Sequence, residues 1–564
     1  MRFRNILLIF ALNIIAHNTQ AQSGLANPLD GKLLLSANYG ELRSSHFHSG
    51  IDLKVGGKEG AKVYAVADAY VYRISVSPRG YGNCLYLKHD DGHFTVYGHL
   101  QKFNSTLAKF VKTEQYRRKS FSLDTTFSEP LFRVKRGEII GFAGNSGTSF
   151  GAHLHFEIRD AQNIPINPVP KFYSVADKTP PTIKSFTVFG FHTLNGVRLP
   201  RIVKDVQLKN VKGKHSVSEI IEIQSPAFFG IEAFDNVDET YNKIGVRRII
   251  ATLDNVTFFS CYIDSIEFDK THYINSLQAY DLLLGENRNV IKTYVEERNN
   301  LNKYSGTVNS GIIEISDTLT HSVSIILEDD YKNKSVLNFK IKARKNQVEE
   351  NTADYKNAKA IVANTGDTMI CSGACLIVNP ETFYSKTLID FEKCDTVASN
   401  FSAAYSVNLM NTPLRKPLDL VVRAIIPDSL RSKVMLGVIA GERFFAVNAQ
   451  YFFGFVSAKI SSSARYFVVV DTVSPAITPK FDNNADLRKQ TSLKIKIADN
   501  LSGIKKYDGY IDGEWALFEY DAKNRLLTYT FDSERIGKNK KHTLKLIVSD
   551  NKNNTTVFES GFLW

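Results

Sequence analysis

The sequence is poor in cysteine and tryptophan, and it has no apolar run long enough to cross a membrane. It contains five cysteines and two tryptophans among 564 residues, and its N-terminal apolar run covers only residues 6–15. A transmembrane helix needs about 20 apolar residues, and no later segment supplies them. The net charge of +12 comes without a basic and aromatic nucleic-acid motif. We therefore expect neither a membrane-spanning nor a nucleic-acid-binding protein.

The N-terminus has the features of a secretory signal. Arg2 and Arg4 precede the apolar run, and small or polar residues lead up to Ala21. This order predicts a signal peptide over residues 1–21, cleaved after Ala21. We expect an exported, soluble mature chain in the periplasm, with the cell surface and secretion into the medium as alternatives. No cysteine lies at the cleavage site, so lipid anchoring is not indicated.

The odd number of cysteines leaves at least one thiol that is unpaired or bridges another molecule. Cys371, Cys375 and Cys394 lie near one another in the sequence. A disulfide between Cys394 and one of the other two is one alternative, because an exported chain enters an oxidising compartment. Buried thiols are the other alternative, and the pairing stays open. A zinc site at these cysteines lacks a nearby fourth ligand.

Two short stretches carry residues that suit metal chemistry. His48 and Asp52 are four residues apart, and His153-Leu-His155 follows about a hundred residues later. They supply three zinc ligands and spare imidazoles for proton transfer. No Cys-x-x-Cys occurs near them, which favours an open, hydrolytic site over a closed structural one. Residues two apart in a strand face the same side, so both histidines of the pair should face one cleft.

A further histidine, His99, lies in the stretch Tyr-Gly-His-Leu over residues 97–100. Alternating apolar residues before it predict a hairpin that turns at residues 90–92. His89 and His93 stand on either side of this turn. We predict that both are exposed loop histidines.

Together these stretches resemble the M23 peptidase family, the lysostaphin-like or LytM-type zinc endopeptidases of bacterial cell walls. The resemblance covers roughly residues 30 to 170 and rests on four motifs in the same order. The motifs are His-Ser-Gly-Ile-Asp (48–52), Tyr-Gly-His-Leu (97–100), Val-Lys-Arg-Gly-Glu-Ile-Ile-Gly (134–141) and Gly-Asn-Ser-Gly-Thr-Ser-Phe-Gly-Ala-His-Leu-His-Phe-Glu (144–157). The style of signal and modules also resembles that of Bacteroidota proteins.

The resemblance implies one zinc ion per chain, held by His48, Asp52 and His155, with His99 and His153 as catalytic histidines. All five residues are present. It also implies hydrolysis of peptide bonds in peptidoglycan stem peptides or cross-links by zinc-activated water with histidine assistance. The separate roles of the two catalytic histidines stay open.

Two alternatives to this function remain at the level of sequence. Some family members have lost ligands, so a non-catalytic LytM-like adaptor that binds the wall or activates another hydrolase is one alternative. The other is a secreted protease that acts on glycine-rich proteins. The intact set of five residues favours an enzyme.

Residues 100–134 form an insertion with a helical pattern. Phe103, Leu107, Phe110 and Val111 recur at helical spacing, and Asn104 or Ser105 can cap the start. We predict a helix over the rim of the cleft.

The rest of the chain has the pattern of β-sandwich modules, and we predict a mainly β protein. The expected units are an M23 domain with an antiparallel sheet (22–176), an immunoglobulin-like β-sandwich (177–345), a strand-rich unit of unassigned family (346–470) and a second immunoglobulin-like β-sandwich (471–564). An internal repeat supports the two sandwiches, because residues 321–336 resemble residues 542–557. We expect peptidoglycan as a partner and propose a cell-envelope protein as a further partner of the β modules.

Two features of these units allow more than one interpretation. Asp-Asn pairs recur in both repeats, and such pairs either form turns or bind calcium. We expect turns, because turn formation accounts for the pairs without an ion. The aromatic residues at 443–455 either pack in the core or contact glycan or protein, and we expect core packing.

Overall fold

The computed structural model describes residues 24–211, 214–344, 357–394 and 399–564. The predicted signal peptide and the boundary predicted at residues 345–346 lie outside these ranges. Within them strands dominate and most strand pairs are antiparallel, as predicted. Among the described helices, none has the length and apolar character needed to cross a bilayer.

The first unit is a sheet with one inserted helix. Its elements are β1 (Leu35–Ala37), β2 (Ile51–Lys54), β3 (Lys62–Tyr64), β4 (Ala69–Val76), β5 (Asn83–His89), β6 (Phe94–Phe103), α1 (Ser105–Arg118), β7 (Leu123–Thr126), β8 (Arg133–Val134), β9 (Ile139–Ala143), β10 (His153–Arg159) and β11 (Pro165–Ile166). The sheet runs in the order β1-β2-β10-β6-β5-β4-β7. Strand β10 therefore lies between β2, which carries Asp52, and β6, which carries His99.

The predicted hairpin is present, but one prediction about its histidines is wrong. Strands β5 and β6 pair in antiparallel fashion around a turn at Gly92. His89 is the last residue of β5 and is buried, because its ring lies between the carbonyl of Asp68 and the hydroxyl of Thr95 at 3.1 and 2.9 Å. His93 has a third of its side chain exposed.

The predicted helix is α1. Asn104 caps it, since its side-chain oxygen accepts a hydrogen bond of 3.0 Å from the backbone N–H of Leu107. The helix ends after Arg118, where Lys119 takes a left-handed conformation with φ of 49°. Leu107 and Val111 are buried, so the apolar spacing in the sequence indicated the packed face.

The second unit contains β12 (Thr182–Leu194), β13 (Val197–Gln207), β14 (Lys209–Val211), β15 (Lys214–Ile223), β16 (Phe228–Phe234), β17 (Arg248–Leu253), β18 (Val256–Tyr262), α2 (Ile274–Leu277), α3 (Tyr280–Glu286), β19 (Val290–Lys292), β20 (His321–Glu328) and β21 (Lys334–Ala343). Short 3₁₀ helices cover Phe268–Tyr273 and Asn309–Gly311. One sheet orders β13-β12-β16-β19, and another orders β14-β15-β21-β20-β17-β18. The core of this unit is continuous with that of the first sheet, since Phe156 and Ile183 belong to one cluster of buried side chains.

The third unit contains β22 (Lys359–Ile361), β23 (Asp367–Cys371), β24 (Ala374–Val378), β25 (Thr387–Lys393), β26 (Tyr405–Asn408), β27 (Leu418–Arg423), β28 (Val434–Ala440), β29 (Arg443–Phe452), β30 (Phe455–Ile460) and β31 (Ala464–Val470), with a 3₁₀ helix at Asp428–Lys433. They form one sheet in the order β22-β25-β26-β31-β28-β29-β30-β27-β24-β23.

One prediction about the third unit is wrong, and one alternative for its cysteines is not observed. The aromatic run was expected in the core, but five of its phenylalanines are exposed: Phe444, Phe445, Phe452, Phe453 and Phe455. They lie in or beside the turns at residues 441–442 and 453–454, and most residues of β29 are exposed or half-buried. Cys371 and Cys375 are free thiols, so a bridge from either of them to Cys394 is not formed.

The last unit contains β32 (Ala476–Pro479), β33 (Ala485–Asp486), β34 (Ser492–Ala498), β35 (Ile504–Ile511), β36 (Glu514–Ala516), β37 (Glu519–Asp521), β38 (Leu526–Thr530), β39 (Lys541–Asp550) and β40 (Thr555–Leu563). A sheet in the order β32-β34-β38-β37 and a sheet in the order β33-β40-β39-β35-β36 share one core. Two facing sheets of this kind suit the predicted sandwich. The division of the chain into domains stays a prediction.

Each of the two repeats brings three aspartates together, and three of the six, Asp235, Asp499 and Asp550, precede an asparagine. One cluster is Asp177, Asp235 and Asp329, and the other is Asp471, Asp499 and Asp550; within each, carboxylate oxygens lie within 4.8 Å of one another. Asp329 and Asp550 each accept hydrogen bonds from backbone N–H groups two and four residues later. The side chains therefore form turns, as one of the two interpretations expects.

Candidate metal centre and catalytic cleft

Three side chains from two strands and the loop before them place their donor atoms close together. The distance from His48 Nε2 to Asp52 Oδ1 is 3.1 Å, and that from His155 Nδ1 to the same oxygen is 3.0 Å. His48 Nε2 and His155 Nδ1 are also 3.1 Å apart. This convergence follows from the pairing of β2 with β10, in which Asp52 lies opposite His155.

The outer nitrogens of both imidazoles are held by hydrogen bonds. His48 Nδ1 lies 2.8 Å from the carbonyl oxygen of Asn38, and His155 Nε2 lies 2.8 Å from Glu157 Oε1. Because these acceptors take the N–H of each ring, the lone pairs of His48 Nε2 and His155 Nδ1 face Asp52. Such outer partners orient metal-binding histidines and fix their tautomer.

Asn38 is itself held by the second unit. Its side-chain amide donates to the carbonyl of Gly245 at 2.7 Å and accepts from the N–H of the same glycine at 2.9 Å. Asn38 is buried. The residue that orients His48 is therefore fixed by a segment about two hundred positions further along the chain.

Glu157 is fully buried at the centre of a polar network. Its oxygens accept hydrogen bonds from Ser49 at 2.7 Å, Tyr81 at 2.6 Å and Arg159 at 2.6 Å, besides that from His155. Burial opposes its ionisation, but Arg159 and His155 hold the pKa of Glu157 well below its usual range. It stays a carboxylate.

Electrostatics at Asp52 also favour bound positive charge. Burial opposes the charged form, yet the imidazoles of His48, His153 and His155 hold the pKa of Asp52 well below its usual range. His155 is buried too, but hydrogen bonds to Asp52 and Glu157 raise its pKa to about 9. A proton and a metal ion therefore compete for Nδ1 of His155.

The donor set fits a zinc ion. Two imidazole nitrogens and one carboxylate oxygen converge. No hydrogen atom lies between them when His48 donates its N–H to Asn38 and His155 donates its N–H to Glu157. Zinc binds such donors at about 2.0–2.2 Å in a tetrahedron, which puts ligand atoms roughly 3.3 Å apart. Three protein ligands leave the fourth position for water or substrate, as in hydrolytic zinc sites.

The other two histidines of the sequence prediction lie in the same cleft. The rings of His99 and His153 have centroids 4.9 Å apart, and His153 Nε2 is 3.5 Å from Asp52 Oδ1. His99 Nδ1 lies 2.9 Å from the carbonyl of Ser146, and His153 Nδ1 lies 2.9 Å from that of Gly151. Each ring donates through Nδ1, so each presents Nε2 as a proton acceptor.

Burial lowers the pKa of His99 to about 3, and the neighbouring imidazoles of His155 and His153 add to this effect. The ring is therefore neutral near pH 7. Its backbone has φ of 58°, an uncommon conformation for a residue other than glycine. Such strain is found most often at functional sites.

A glycine beside the first ligand is required by close packing. A Cβ atom at Gly50 would collide with the carbonyl oxygen of Phe156 and lie 2.8 Å from the side chain of Glu157. A side chain at position 50 would therefore push β10 away from the loop that carries His48.

Sequence reasoning identified the five central residues but missed those that hold them. Asn38, Tyr81, Glu157 and Arg159 were not singled out as site residues. Glu157 carried a signal, because it follows His155 by two positions in a strand and must face the same side.

Comparisons with known proteins agree with this geometry. Residues 46–117 match the model of peptidase family M23. The DD-carboxypeptidase/endopeptidase Mpg of Neisseria meningitidis serogroup B is 34% identical over 139 residues, which is 25% of this chain and 25% of that protein. The murein hydrolase activator NlpD of Escherichia coli K12 is 32% identical over 132 residues, 23% of this chain and 27% of that protein. The chain thus spans about a quarter of the length of these curated relatives.

Among solved structures, the catalytic domain of the antimicrobial peptidase lysostaphin from Staphylococcus simulans is 26% identical. The match covers 24% of this chain and 90% of that one, with a TM-score of 0.18. The matched residues 46–117 lie in the N-terminal sheet and its inserted helix and contain His48, Asp52 and His99. By the family model, residues 46–117 belong to a peptidase family M23 domain.

Proposed function

We propose that this chain is an exported zinc metalloendopeptidase that hydrolyses peptide bonds in peptidoglycan stem peptides or cross-links. One observation carries the proposal: His48, Asp52 and His155 present a complete set of ligand atoms. Beside them, the imidazoles of His99 and His153 donate through Nδ1 and present Nε2 as a proton acceptor. A chain that had lost catalysis would have no need to keep all five groups in this arrangement.

His48, Asp52 and His155 would hold the zinc ion. When bound there, zinc supplies a Lewis acid that polarises a peptide carbonyl and lowers the pKa of water. Asn38 and Glu157 keep the two imidazoles in the tautomers that bind a metal.

His99 and His153 would move protons. Each offers an Nε2 lone pair on the cleft side, so either can take a proton from the attacking water. The resulting N–H can stabilise the developing oxyanion or pass a proton to the leaving amine.

The substrate class rests on the relatives and on charge. The two similar curated proteins are named as a DD-carboxypeptidase/endopeptidase and as a murein hydrolase activator. The chain carries a net charge of +12, and a basic surface attracts the carboxylates of peptidoglycan stem peptides. We assign the chain to the cell envelope, with the β units as the surface for a further protein partner.

The test combines zinc content with digestion of purified peptidoglycan by the mature chain. We expect one zinc ion per wild-type chain and new amino termini from the substrate. His48→Ala should lose the metal. His153→Ala should keep the metal and lose activity by about 10²–10⁴-fold, the usual contribution of acid–base catalysis.

His93→Ala serves as the matched control, because this partly exposed histidine lies in a turn outside the cleft. It should keep both zinc and activity. Wild-type protein that binds zinc but cuts neither peptidoglycan nor soluble peptides would contradict the proposal and favour the non-catalytic adaptor.

A further inference from the structure

The last unit of the chain is docked on the inserted helix of the M23 domain. Lys112 of α1 forms an ion pair of 2.6 Å with Asp532. Tyr116, one turn further on, meets the ring of Trp515 edge-on at 5.3 Å, and the guanidinium of Arg535 lies 4.2 Å from the centroid of its ring. The helix that sequence analysis assigned to the rim of the cleft therefore binds the C-terminal sandwich.

From this docked position one side chain reaches the catalytic cleft. The ammonium group of Lys523 donates hydrogen bonds to the carbonyl oxygens of Asn145 and Ser149, the latter at 3.0 Å. Both carbonyls belong to the loop between β9 and β10. Lys523 thus joins two points of one short loop through a single charged donor.

The carbonyls bound by Lys523 lie one and two residues before those that orient the catalytic histidines. Asn145 directly precedes Ser146, whose carbonyl accepts from His99. Ser149 lies two residues before Gly151, whose carbonyl accepts from His153, and the Ser149 hydroxyl donates to that same carbonyl at 2.9 Å.

The loop itself has a flexible composition. It contains Gly144, Gly147 and Gly151, and Gly147 takes a left-handed conformation with φ of 71°. Glycine-rich backbone has many accessible conformations in the absence of outside contacts. The turn at Gly80 also holds the loop: the Gly80 carbonyl accepts from the backbone N–H of Thr148, and the Gly80 N–H donates to the Thr148 hydroxyl at 3.1 Å. Lys523 supplies a contact from a separate unit.

We propose that Lys523 is a positioning residue for the peptidase reaction. The C-terminal sandwich, through this lysine, holds the loop at Asn145 and Ser149, and the loop's carbonyls at Ser146 and Gly151 set the tautomer and direction of His99 and His153. The inference rests on the proposed function, since it names a residue that serves the same cleft. It makes the last unit a part of the active site rather than only a wall-binding or spacer module.

The test compares Lys523→Met, Lys523→Arg and the matched control Lys496→Met in the full mature chain. Lys496 is an exposed lysine on β34 of the same unit. Methionine keeps the length of the side chain and removes its charge. Zinc content, kcat, KM and hydrogen exchange of the amides of residues 144–152 are measured for each variant.

We expect Lys523→Met to retain one zinc ion and to lower kcat about 10-fold with little change in KM, because misplaced catalytic groups mainly lower the rate of the chemical step. Exchange in residues 144–152 should become about 10-fold faster. Arginine at position 523 should restore much of both properties, and Lys496→Met should resemble wild type.

Two results would overturn the inference. Exchange that is unchanged in Lys523→Met would show that the lysine does not hold the loop. Faster exchange with an unchanged kcat would show that the contact does not position catalytic groups. A wild-type chain that cuts no peptide refutes the proposed function instead, and loop exchange in Lys523→Met still decides whether Lys523 holds the loop.

Discussion

Replacing Glu157 by glutamine should show how much the hydrogen-bond partner of a ligand contributes to metal binding, because the three ligand residues themselves are unchanged. Glu157 is fully buried and accepts four hydrogen bonds, among them those from His155 and Arg159. Glutamine has almost the same shape but only one accepting oxygen and no charge. The change leaves the guanidinium of Arg159 buried without its carboxylate and allows the ring of His155 to turn.

Both consequences have expected magnitudes. Loss of an outer carboxylate partner typically weakens metal binding by about 10–100-fold. Removal of one partner from a buried ion pair typically costs about 3–5 kcal/mol of folding stability. Arg159 has 5% of its side chain exposed and Glu157 none, so solvent screening does little to reduce this second figure.

The assay is a zinc competition titration with a chelator, together with denaturant unfolding of the metal-loaded and metal-free chain. Glu219→Gln is the control, because this carboxylate is 60% exposed and pairs with a surface lysine. Zinc affinity within about twofold of wild type, in a Glu157→Gln variant that is folded, would refute the assigned role.

Three further predictions concern stability. Burial and the nearby carboxylate of Asp177 raise the pKa of Asp235 to about 8, so the folded state binds this proton more tightly than the unfolded state. The stability that this group contributes is present below about pH 4 and is lost as pH rises towards 8. The stability of Asp235→Asn relative to wild type should therefore be greater at pH 8 than at pH 5. A difference in melting temperature between variant and wild type that is the same at both pH values would contradict this. Gly50→Ala should lower both zinc content and melting temperature, because its Cβ would collide with the carbonyl of Phe156; a normal zinc content would contradict the packing argument. Residues 24–176 expressed alone should bind a hydrophobic dye and unfold at lower temperature than the full chain, because their core continues into the second unit; a compact, dye-free fragment would count against a shared core.

Local patterns in the sequence were sufficient to predict those features of the structure that depend on residues close together in the chain. The His-x-His spacing of His153 and His155 predicts a strand with one inward face, and Leu154 is indeed buried behind it. Helix α1 begins at its predicted cap. Such features depend on residues within one or two turns or on adjacent positions of a strand.

Contacts between distant segments were beyond reach of the same reasoning. His89 was predicted to be exposed, since its polarity and nearby turn outweighed its place at the end of a strand. Its burial depends on Asp68 and Thr95, which only the folded sheet brings to the ring. Lys523 and Asn145 are separated by 378 positions. No sequence motif around either residue predicts contact with the other.

The contact between Asn38 and Gly245 makes the maturation of the metal site depend on the order of synthesis. When a growing chain has produced every ligand up to His155, the amide of Asn38 still lacks the glycine that fixes it on both sides. The side chain of Asn38 is thus fixed only after about ninety more residues have been added and folded. A chain released early would carry all five central residues while Asn38, which orients His48, still lacked its partner in the second unit.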